Sequence, residues 1–366
     1  MPNRDIKNVF LSSIRQDAGK TTVSLGLYHA FKERKIKTAF IKPVGQKYVN
    51  VGDVKIDKDS YLIGEVFHCE SKFKDMSPVT IARGFTKEYI QHPDNAKFRE
   101  SIVRSYNKLS RGKDIILIEG TGHAGVGSVI DVSNADVAEL LHAKVIIISE
   151  GGVGRSIDEI MLNKALFDLK GVEVIGVIIN KVLPDKYREI KRILKKGLKN
   201  KGLRLLGVLP VKEILSEPTV SQIQTALGLN LLCGKANLSR RITDAFIAAM
   251  EPRHMIHHLK KGTLVLTSGD RVDNILLAVS SHLARGKGDK ISGIILTGGL
   301  RPSPEIMNLL EISQIPILIT DKDTYNIAAE LESLTCKIQK TDKEKIHEAA
   351  RLIKRHVNVD AILKLL

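Results

Sequence analysis

Short runs of β-branched residues alternate along this chain with segments of helical periodicity, and this alternation limits the fold more than any other property. In the first part the runs cover residues 8–12, 38–41, 114–119, 144–149, 174–180 and 204–209. Most of them end at a turn rich in Gly, Pro, Asn or Ser, where open parallel sheets place their ligands. The pattern favours βαβ units on a parallel sheet over a helix bundle or a β-sandwich. The predicted fold class is α/β.

A second αβ rhythm follows nearer the C-terminus. Strands are predicted at residues 263–267, 291–296 and 315–320, and helices at 272–284 and 304–311. A chain of 366 residues usually forms about two domains of roughly 150 residues each. Between the two parts the rhythm is lost, and Pro218, Gly228 and Gly234 break short segments. We expect a hinge at residues 213–237.

The net charge is strongly positive. Lys and Arg number 57 against 41 Asp and Glu, giving +16, which suits an anionic partner such as a nucleotide, a nucleic acid or a membrane surface. Residues 186–204 hold much of the excess, but Ile190, Ile193, Leu194 and Leu198 recur there at helical spacing, so a solvated helix face is favoured over a nucleic-acid patch. Aromatic residues make up only 4%, which argues further against a single-strand nucleic-acid platform. Nucleic acid is therefore an unlikely partner.

Cysteine usage and apolar run length indicate the compartment. Cys69, Cys233 and Cys336 are far apart and form no CxxC pair, which fits a reduced environment. The longest apolar runs are strand-sized, well short of the roughly 20 residues that cross a bilayer. The N-terminal residues lead straight into the first strand with no apolar stretch typical of a secretion signal. We expect a cytoplasmic protein with no membrane partner.

The strongest chemical pattern is a phosphate-binding loop. Residues 12–22 read SSIRQDAGKTT and lie between the first predicted strand and a helix. In such a loop, backbone N–H groups cradle phosphate oxygens, a lysine neutralises the β- and γ-phosphates, and the next hydroxyl ligates Mg²⁺. Lys20 and Thr21 would take these two roles.

The loop departs from the usual P-loop spacing. Ile14 stands where the first glycine is expected, and a longer loop would start at Ser13, six residues before Gly19. The alternative is a chance Gly-Lys-Thr at a helix start. The order of strand, loop and helix favours the P-loop.

A carboxylate of the Walker-B type follows the third predicted strand. Glu119 comes after four apolar residues, 115–118, at the carboxyl end of that strand. From this position a carboxylate reaches Mg²⁺ or its water. The alternative is that Glu119 only caps the next helix.

Three further patterns are weaker indicators of function. The glycines at 151–154 suit a tight turn and helix entry more than a phosphate contact, and three histidines at 254–258 have no nearby carboxylate or thiolate for a metal. Asn180-Lys181 is similar to the base-recognition element of GTPases, but Leu183 replaces the expected acid. ATP is therefore expected over GTP.

In the first part these residues resemble a known family. The motifs are Gly19-Lys20-Thr21, Lys42-Pro43-Val44, Asp59 with Leu62, Ser77-Pro78, Glu119-Gly120-Thr121-Gly122, Asn180, and Gly207-Val208-Leu209-Pro210. They occur in the order seen in dethiobiotin synthetase and its relatives, over about residues 6–212. The match looks closest to the dethiobiotin-synthetase-like domain at the N-terminus of long phosphate acetyltransferases and of related stand-alone P-loop proteins.

The second part resembles the DRTGG domain that accompanies that domain. Gly269-Asp270-Arg271 and Leu296-Thr297-Gly298-Gly299 each follow a predicted strand, and the match covers about residues 238–335. Without the resemblance, simple turn chemistry would explain both, with Asp270 capping a helix and Arg271 able to pair with an anion. The implied domains are a P-loop nucleotide-binding domain at 1–212, the hinge at 213–237, a smaller α/β DRTGG domain at 238–340 and C-terminal helices at 341–366.

The resemblance implies a role for each site residue. The cofactors implied are ATP and Mg²⁺. The implied catalytic residues are Lys20, Lys42 and Glu119, with Lys42 on the substrate side of the γ-phosphate. The implied metal-binding residues are Thr21, Asp59 and Glu119. The implied nucleotide-binding residues are Ser13, Ala18, Gly19, Lys20, Thr21, Thr22 and Asn180, with Asn180 at the base.

Departures from the family pattern shape the functional expectation. Arg15 stands where the synthetase loop carries an acid, His123 replaces a glycine, and Val79-Thr80 replaces a histidine-containing run. Because the chain ends at Leu366, before the length needed for acetyl transfer to coenzyme A, we expect that it is not a phosphate acetyltransferase by itself.

Two functions remain open. The first is ATP-responsive regulation of a partner such as an acetyltransferase, with homodimerisation through the DRTGG domain. The alternative is a Mg²⁺- and ATP-dependent ligase or phosphoryl-transfer enzyme acting on a carboxylate or carbamate, related to dethiobiotin or cobyrinate diamide synthases.

Overall fold

A computed structural model describes residues 6–82, 84–284, 290–334 and 336–366. The first five residues, part of the N-terminal stretch considered above, lie outside this range. The chain divides into two compact units. Unit 1 combines Met1–Lys212 with Ile338–Leu366, and unit 2 is Glu213–Lys337.

Unit 1 is built on a parallel sheet with the strand order β10-β9-β8-β1-β7-β2. Its inner strands are almost wholly buried and apolar, which is typical of a parallel sheet covered on both faces. The strands of this unit are β1 (Lys7–Ser13), β2 (Thr38–Ile41), β3 (Val44–Gly45), β4 (Tyr48–Val51), β5 (Val54–Asp57), β6 (Val79–Thr80), β7 (Ile115–Glu119), β8 (Lys144–Glu150), β9 (Val174–Val182) and β10 (Leu205–Pro210).

Helices connect these strands. They are α1 (Lys20–Glu33), α2 (Lys58–Phe67), α3 (Phe73–Met76), α4 (Phe85–Gln91), α5 (Ala96–Ser110), α6 (Asn134–Leu140), α7 (Gly154–Leu169) and α8 (Tyr187–Asn200). In α8 the buried side chains are Leu194 and Leu198, so the basic residues lie on an amphipathic helix as the sequence predicts. In the part of the chain that the structure describes, no helix combines the length and apolar character needed to span a bilayer.

The sheet reverses its winding direction at β1. From β1 the chain passes to β2 at one edge and returns to β7, which lies between them, and it then adds β8, β9 and β10 on the other side of β1. Leu11 pairs with Glu119 of β7, and Ser13 pairs with Ile148 of β8. The loop after β1 therefore lies at the switch point of the sheet, where α/β proteins of this type bind ligands.

Unit 2 has its own sheet, in the order β11-β15-β14-β13-β12, with only β11 antiparallel to its neighbour. Alternate residues of β13 enter two core clusters: Val265 one of them, and Leu264 and Leu266 the other. The elements of this unit are α9 (Glu213–Ser216), α10 (Val220–Leu227), β11 (Asn230–Cys233), β12 (Asp244–Ile247), α11 (Pro252–Met255), β13 (Thr263–Ser268), α12 (Val272–Ala284), β14 (Gly293–Thr297), α13 (Pro304–Ser313), β15 (Ile317–Ile319) and α14 (Thr324–Ser333).

After unit 2 the chain returns to unit 1, where it forms α15 (Lys343–His356) and α16 (Val359–Leu365). Helix α15 packs against α1, and Val357 forms an antiparallel bridge with Gly207 at the β10 edge. The Nζ atoms of Lys7 and Lys144 donate to the carbonyl oxygens of Leu363 and Leu365, at 3.2 and 2.7 Å. These side chains satisfy carbonyls that the last turn of a helix leaves without partners.

The α/β fold is confirmed, and the segment expected as a hinge is ordered into unit 2. Helix α10 begins with a capping box in which Thr219 and Gln222 exchange side-chain and backbone hydrogen bonds. Strand β11 extends the sheet by pairing with β15. Residues 213–237 thus contribute secondary structure to unit 2, and the helices at 341–366 belong to unit 1.

Candidate nucleotide site

The loop between β1 and α1 is held by the neighbouring strands. The backbone N–H of Ser13 donates to the carbonyl of Gly122 at 3.2 Å, after β7. The N–H of Ile14 donates to the carbonyl of Ile148 at 3.1 Å, in β8. The loop is therefore fixed at both sides of the switch point before it enters α1.

Gly19 turns the loop into the helix. Its φ of +97° is unfavourable for residues with a side chain, and a Cβ here would lie 2.0 Å from Asn180 Nδ2. Asn180 Nδ2 donates to the carbonyl of Ala18 at 2.9 Å. The structure thus places Asn180 against the loop backbone, where its side chain stabilises the loop. Its predicted contact with the nucleotide base stays a prediction.

Lys20, the first residue of α1, is largely buried, and its Nζ donates to Ser13 Oγ at 2.7 Å. The first turn continues with Thr21 and Thr22. Helix N-termini offer N–H groups and a partial positive charge to anions. A lysine, a strand-end serine and a helix start are together the parts of a phosphate cradle.

Three oxygen-bearing side chains from three elements meet beside Lys20. Thr21 Oγ1 lies 3.1 Å from Asp59 Oδ1 and 3.4 Å from Glu119 Oε1. Glu119 is fixed from its other side, because Ser24 Oγ donates to its Oε2 at 2.5 Å. The structure brings together the Thr21, Asp59 and Glu119 named from the sequence.

Lys42 lies in the same cluster. Its Nζ pairs with the carboxylate of Asp59 and lies 3.2 Å from Asp57 Oδ1 and 3.8 Å from Glu119 Oε1. Lys42 and its three carboxylate neighbours are all buried. Buried charges of this kind are stable only when they are paired and hydrogen-bonded.

Burial and charge shift the pKa values of two of these groups. Burial and, to a smaller extent, the negative charge of Asp59 raise the pKa of Glu119 to about 7, although Lys42 acts against both effects. Burial alone would lower the pKa of Lys42, but Asp59, Asp57 and Glu119 together raise it above its ordinary value. Lys42 is therefore charged at neutral pH, and Glu119 keeps its proton to a higher pH than an exposed glutamate does.

The donor set fits Mg²⁺ when a nucleotide is present. Magnesium is usually held by one or two carboxylates together with substrate phosphates and water. Thr21, Asp59 and Glu119 supply hard oxygens of this type. Among the described residues, no group of three or more His, Cys, Asp and Glu side chains is arranged to hold a metal by itself. Phosphate oxygens would have to complete the coordination.

A second charged cluster closes the other side of the loop. Glu150, at the end of β8, pairs with Arg15 of the loop. Lys181 of β9 donates to Glu150 Oε1 at 2.7 Å and to the carbonyl of Asp17 at 2.8 Å. The arginine that departs from the family pattern is thus paired with Glu150, which Lys181 of the neighbouring strand also contacts.

The sequence patterns did not single out Asp57, Ser24 or Glu150. Asp57 caps α2 by accepting from the N–H of Asp59 at 2.8 Å, and it also contacts Lys42. An acid two residues before Asp59 at a helix start is the signal that could have found it. Ser24 lies one helical turn after Lys20, on the side of α1 that reaches Glu119.

The weaker patterns have structural roles. Residues 151–154 form the turn into α7, and the imidazole of His258 stacks on Phe246. In unit 2, Arg271 forms two hydrogen bonds to Asp273, at 3.0 and 2.9 Å. Gly298 and Gly299 have positive φ values, and their N–H groups donate to the carbonyls of Lys322 and Thr320. The TGG turn is therefore tied to the turn after β15.

Comparisons with known families cover both units. Residues 7–219, more than half of the chain, match the family described as an AAA domain. Residues 222–334 match the DRTGG domain.

Curated relatives are phosphate acetyltransferases. One from Nitratidesulfovibrio vulgaris is 29% identical over 361 residues, covering 96% of this chain and 50% of the relative. One from Synechocystis is 27% identical over 368 residues, covering 98% and 52%. The chain spans about half the length of the curated relatives it matches.

Solved structures show weaker likeness. The CBS and DRTGG domains of the regulatory region of Clostridium perfringens pyrophosphatase, complexed with the activator diadenosine tetraphosphate, are 15% identical, with 38% of this chain and 66% of that chain covered and a TM-score of 0.26. The septum site-determining protein MinD from Pyrococcus horikoshii, complexed with Mg-ADP, is 18% identical, with coverage of 57% and 83% and a TM-score of 0.36.

The two family matches confirm the resemblance stated from the motifs. The AAA-domain match includes the loop before α1 and the cluster of Thr21, Lys42, Asp59 and Glu119. The chain belongs to the AAA-domain family as a dethiobiotin-synthetase-like P-loop protein, carries a DRTGG domain, and is related to the N-terminal region of phosphate acetyltransferases.

Proposed function

We propose that this protein binds MgATP at the loop before α1 and uses it to regulate a partner enzyme, a phosphate acetyltransferase. Lys20 would contact the β- and γ-phosphates, and Thr21, Asp59 and Glu119 would hold the metal. The metal, when bound, would neutralise phosphate charge. The names of the curated relatives support the choice of partner.

The observation that carries the regulatory proposal is the contact between the site and the returning C-terminal segment. Helix α1 begins at Lys20 in the site and packs against α15 near Gly26. Helix α2 begins next to Asp57, and one to two turns later Lys340 Nζ donates to Tyr61 Oη at 3.1 Å and to Glu65 Oε2 at 2.9 Å. Both helices that start at the site therefore hold the segment through which the chain re-enters unit 1.

This arrangement supports a route for a nucleotide signal. Ordering of the loop and of the α1 and α2 N-termini would shift the position of the segment that starts at Ile338, which is covalently joined to unit 2. Small shifts at a ligand site act at a distance when packed elements have two arrangements. We propose that unit 2 also forms a homodimer, because closed two-fold pairing is the commonest soluble assembly; sedimentation of the intact chain tests this.

A second function is favoured by the position of Lys42. Its ammonium group lies beside the carboxylates that Thr21 contacts, where it could stabilise charge on a transferred phosphoryl group. This suits an ATP-dependent ligase or phosphoryl-transfer enzyme acting on a carboxylate or carbamate.

Steady-state ADP release separates the two functions. The purified chain is incubated with MgATP alone, with bicarbonate and a panel of carboxylic acids, and with a phosphate acetyltransferase encoded in the same genome. Regulation predicts slow ADP release that the acids do not change, and an acetyl-transfer rate that depends on ATP only when this protein is present. Acid-stimulated turnover with no effect on acetyl transfer would favour the ligase.

A further inference from the structure

The carboxylates of Asp59 and Glu119 lie near both the ammonium group of Lys42 and the hydroxyl of Thr21, beside which a metal would bind. Asp59 accepts from Thr21 through Oδ1 and pairs with Lys42 through Oδ2. Glu119 uses a single oxygen, Oε1, which lies 3.4 Å from Thr21 Oγ1 and 3.8 Å from Lys42 Nζ. The ammonium group of Lys42 therefore uses the same carboxylates that would hold a metal beside Thr21.

Burial strengthens the electrostatic repulsion between the Lys42 ammonium group and a metal ion bound to the same carboxylates. The side chains of Lys42, Asp59 and Glu119 are 6%, 2% and 1% exposed, so water screens their charges weakly. A divalent ion entering beside Thr21 would meet the ammonium group a few ångströms away, and repulsion at this range is large in a buried site. The two cations therefore compete for the same oxygens.

Asp57 gives Lys42 a further partner. Its Oδ1 lies 3.2 Å from Lys42 Nζ and also accepts from the N–H of Asp59 at 2.8 Å. The backbone N–H of Asp57 donates to Ser77 Oγ at 2.9 Å. Its carboxylate packs against Gly45, where a Cβ would come within 2.6 Å of Oδ2. Asp57 is thus fixed by the start of α2, by Ser77 and by the turn after Lys42.

We propose that Lys42 is a built-in counter-ion that neutralises the metal-binding carboxylates Asp59 and Glu119 when MgATP is not bound, and that Asp57 is the anchor that keeps Lys42 in place when the metal enters. On Mg²⁺ binding, Asp59 and Glu119 pass from Lys42 to the metal, while Lys42 stays on Asp57 and turns toward the phosphates. The site would then resist divalent cations without nucleotide and accept them with it. This inference deepens the proposed MgATP site and rests on it.

The test measures Mn²⁺ affinity of the full chain without nucleotide, by the electron paramagnetic resonance signal of free Mn²⁺. Lys42→Met removes the competing ammonium and should tighten Mn²⁺ binding at least about tenfold over the unsubstituted protein. Lys47→Met, at an exposed lysine five residues further along the same segment, is the matched control and should leave the affinity unchanged.

Two double variants separate the metal position from the anchor. Adding Asp59→Asn to Lys42→Met should weaken Mn²⁺ binding at least about tenfold, because a ligand is lost, whereas adding Asp57→Asn should change it less than about threefold. Asparagine still caps a helix, so α2 should persist in the Asp57→Asn variant. Lys42→Met alone leaves buried carboxylates without their counter-charge and could therefore prevent folding. Lys42→Met/Asp57→Asn removes one carboxylate charge together with the ammonium group, and it provides the test in that case.

The outcomes distinguish this inference from the proposed function. Equal Mn²⁺ affinity in the presence and absence of Lys42 would overturn the counter-ion role, and an equal loss from Asp57→Asn and Asp59→Asn would overturn the anchor. A separate ATP titration reports on the proposed function. If ATP does not bind but Lys42→Met gains Mn²⁺ affinity, the counter-ion role stands and the proposed function fails.

Discussion

Lys20 is the side chain that the phosphate site depends on most directly, since it begins α1 and reaches back to Ser13. Lys20→Ala should weaken MgATP binding by about 2 kcal/mol or more, because charge-assisted hydrogen bonds to phosphate are lost. Titration calorimetry measures this, with the exposed Lys47→Ala as the control. Unchanged affinity in Lys20→Ala would remove the P-loop interpretation.

Asn180 provides a test of base choice. Because its Nδ2 holds the Ala18 carbonyl and packs on Gly19, Asn180→Ala should loosen the loop and weaken ATP and GTP binding by similar factors. The unsubstituted protein should bind ATP at least as well as GTP, since Leu183 replaces the acid that would recognise guanine. Competition titrations give both ratios. A change in the ATP-to-GTP ratio in Asn180→Ala would instead place this side chain at the base.

Glu119 links stability to pH. Its pKa of about 7 lies above the ordinary value of 4.5, so the folded state holds a proton that the unfolded chain releases between these values. The free energy of unfolding should therefore fall as pH rises from about 5 to 7. Glu119→Gln cannot ionise and should match the unsubstituted protein near pH 5.

At pH 8 without metal, Glu119→Gln should be more stable than the unsubstituted protein by at least about 1 kcal/mol, given about 1.4 kcal/mol per pKa unit. Thermal unfolding in EDTA at both pH values measures the difference. A Glu119→Gln protein that is less stable by the same amount at both values would show that Glu119 stabilises the fold as an ion.

At the level of elements, the packing of α1 on α15 depends on Gly26. A Cβ at this position would lie 2.2 Å from Ile353 Cγ1 and 2.7 Å from the backbone carbonyl oxygen of Ala349. Alanine favours helix by up to about 1 kcal/mol over glycine, but overpacking against a backbone typically costs about 1–3 kcal/mol. Gly26→Ala should therefore lower the thermal stability of unit 1.

Gly154→Ala is the control for Gly26→Ala. Gly154 begins α7, and nothing lies within 4 Å of the position that its Cβ would take. This variant should be as stable as the unsubstituted protein or more so. If Gly26→Ala behaved in the same way, α15 would not be packed closely on α1.

The strands and helices that the sequence predicted well are those with strong local signals. The strand at residues 38–41 and the helix at 272–284 have the predicted bounds. Strand β11 was missed because it is defined by pairing with β15, far along the chain, and no local periodicity reveals that. The return of α15 to α1 was missed for the same reason, since the packing partner lies in the first helix.

The residues of the candidate site could likewise be predicted only where the signal is local or follows from the sheet topology. Thr21 and Glu119 could be placed together because the loop after β1 and the carboxyl end of β7 lie at one edge of a parallel sheet. Asp57 could not be assigned to the site from the sequence, because it caps α2 and its contact with Lys42 depends on the tertiary fold. The position of Asn180 on the loop depends on a contact between residues 162 apart in sequence.

For the whole molecule, we propose that MgATP bound at the loop before α1 changes the segment through which the chain leaves unit 2. The chain joins unit 2 to unit 1 a second time at Ile338, so this segment offers a signal a covalent route. Helices α1 and α2 connect the site to this segment through α15 and Lys340.

Amide hydrogen–deuterium exchange of the intact chain, with and without saturating MgATP, measures whether nucleotide binding at the loop reaches this segment. We expect slower exchange in the loop before α1, in α2 and also in α15, and no such protection in Lys20→Ala. Protection confined to the loop, with α15 exchanging at the same rate with and without MgATP, would rule out this route.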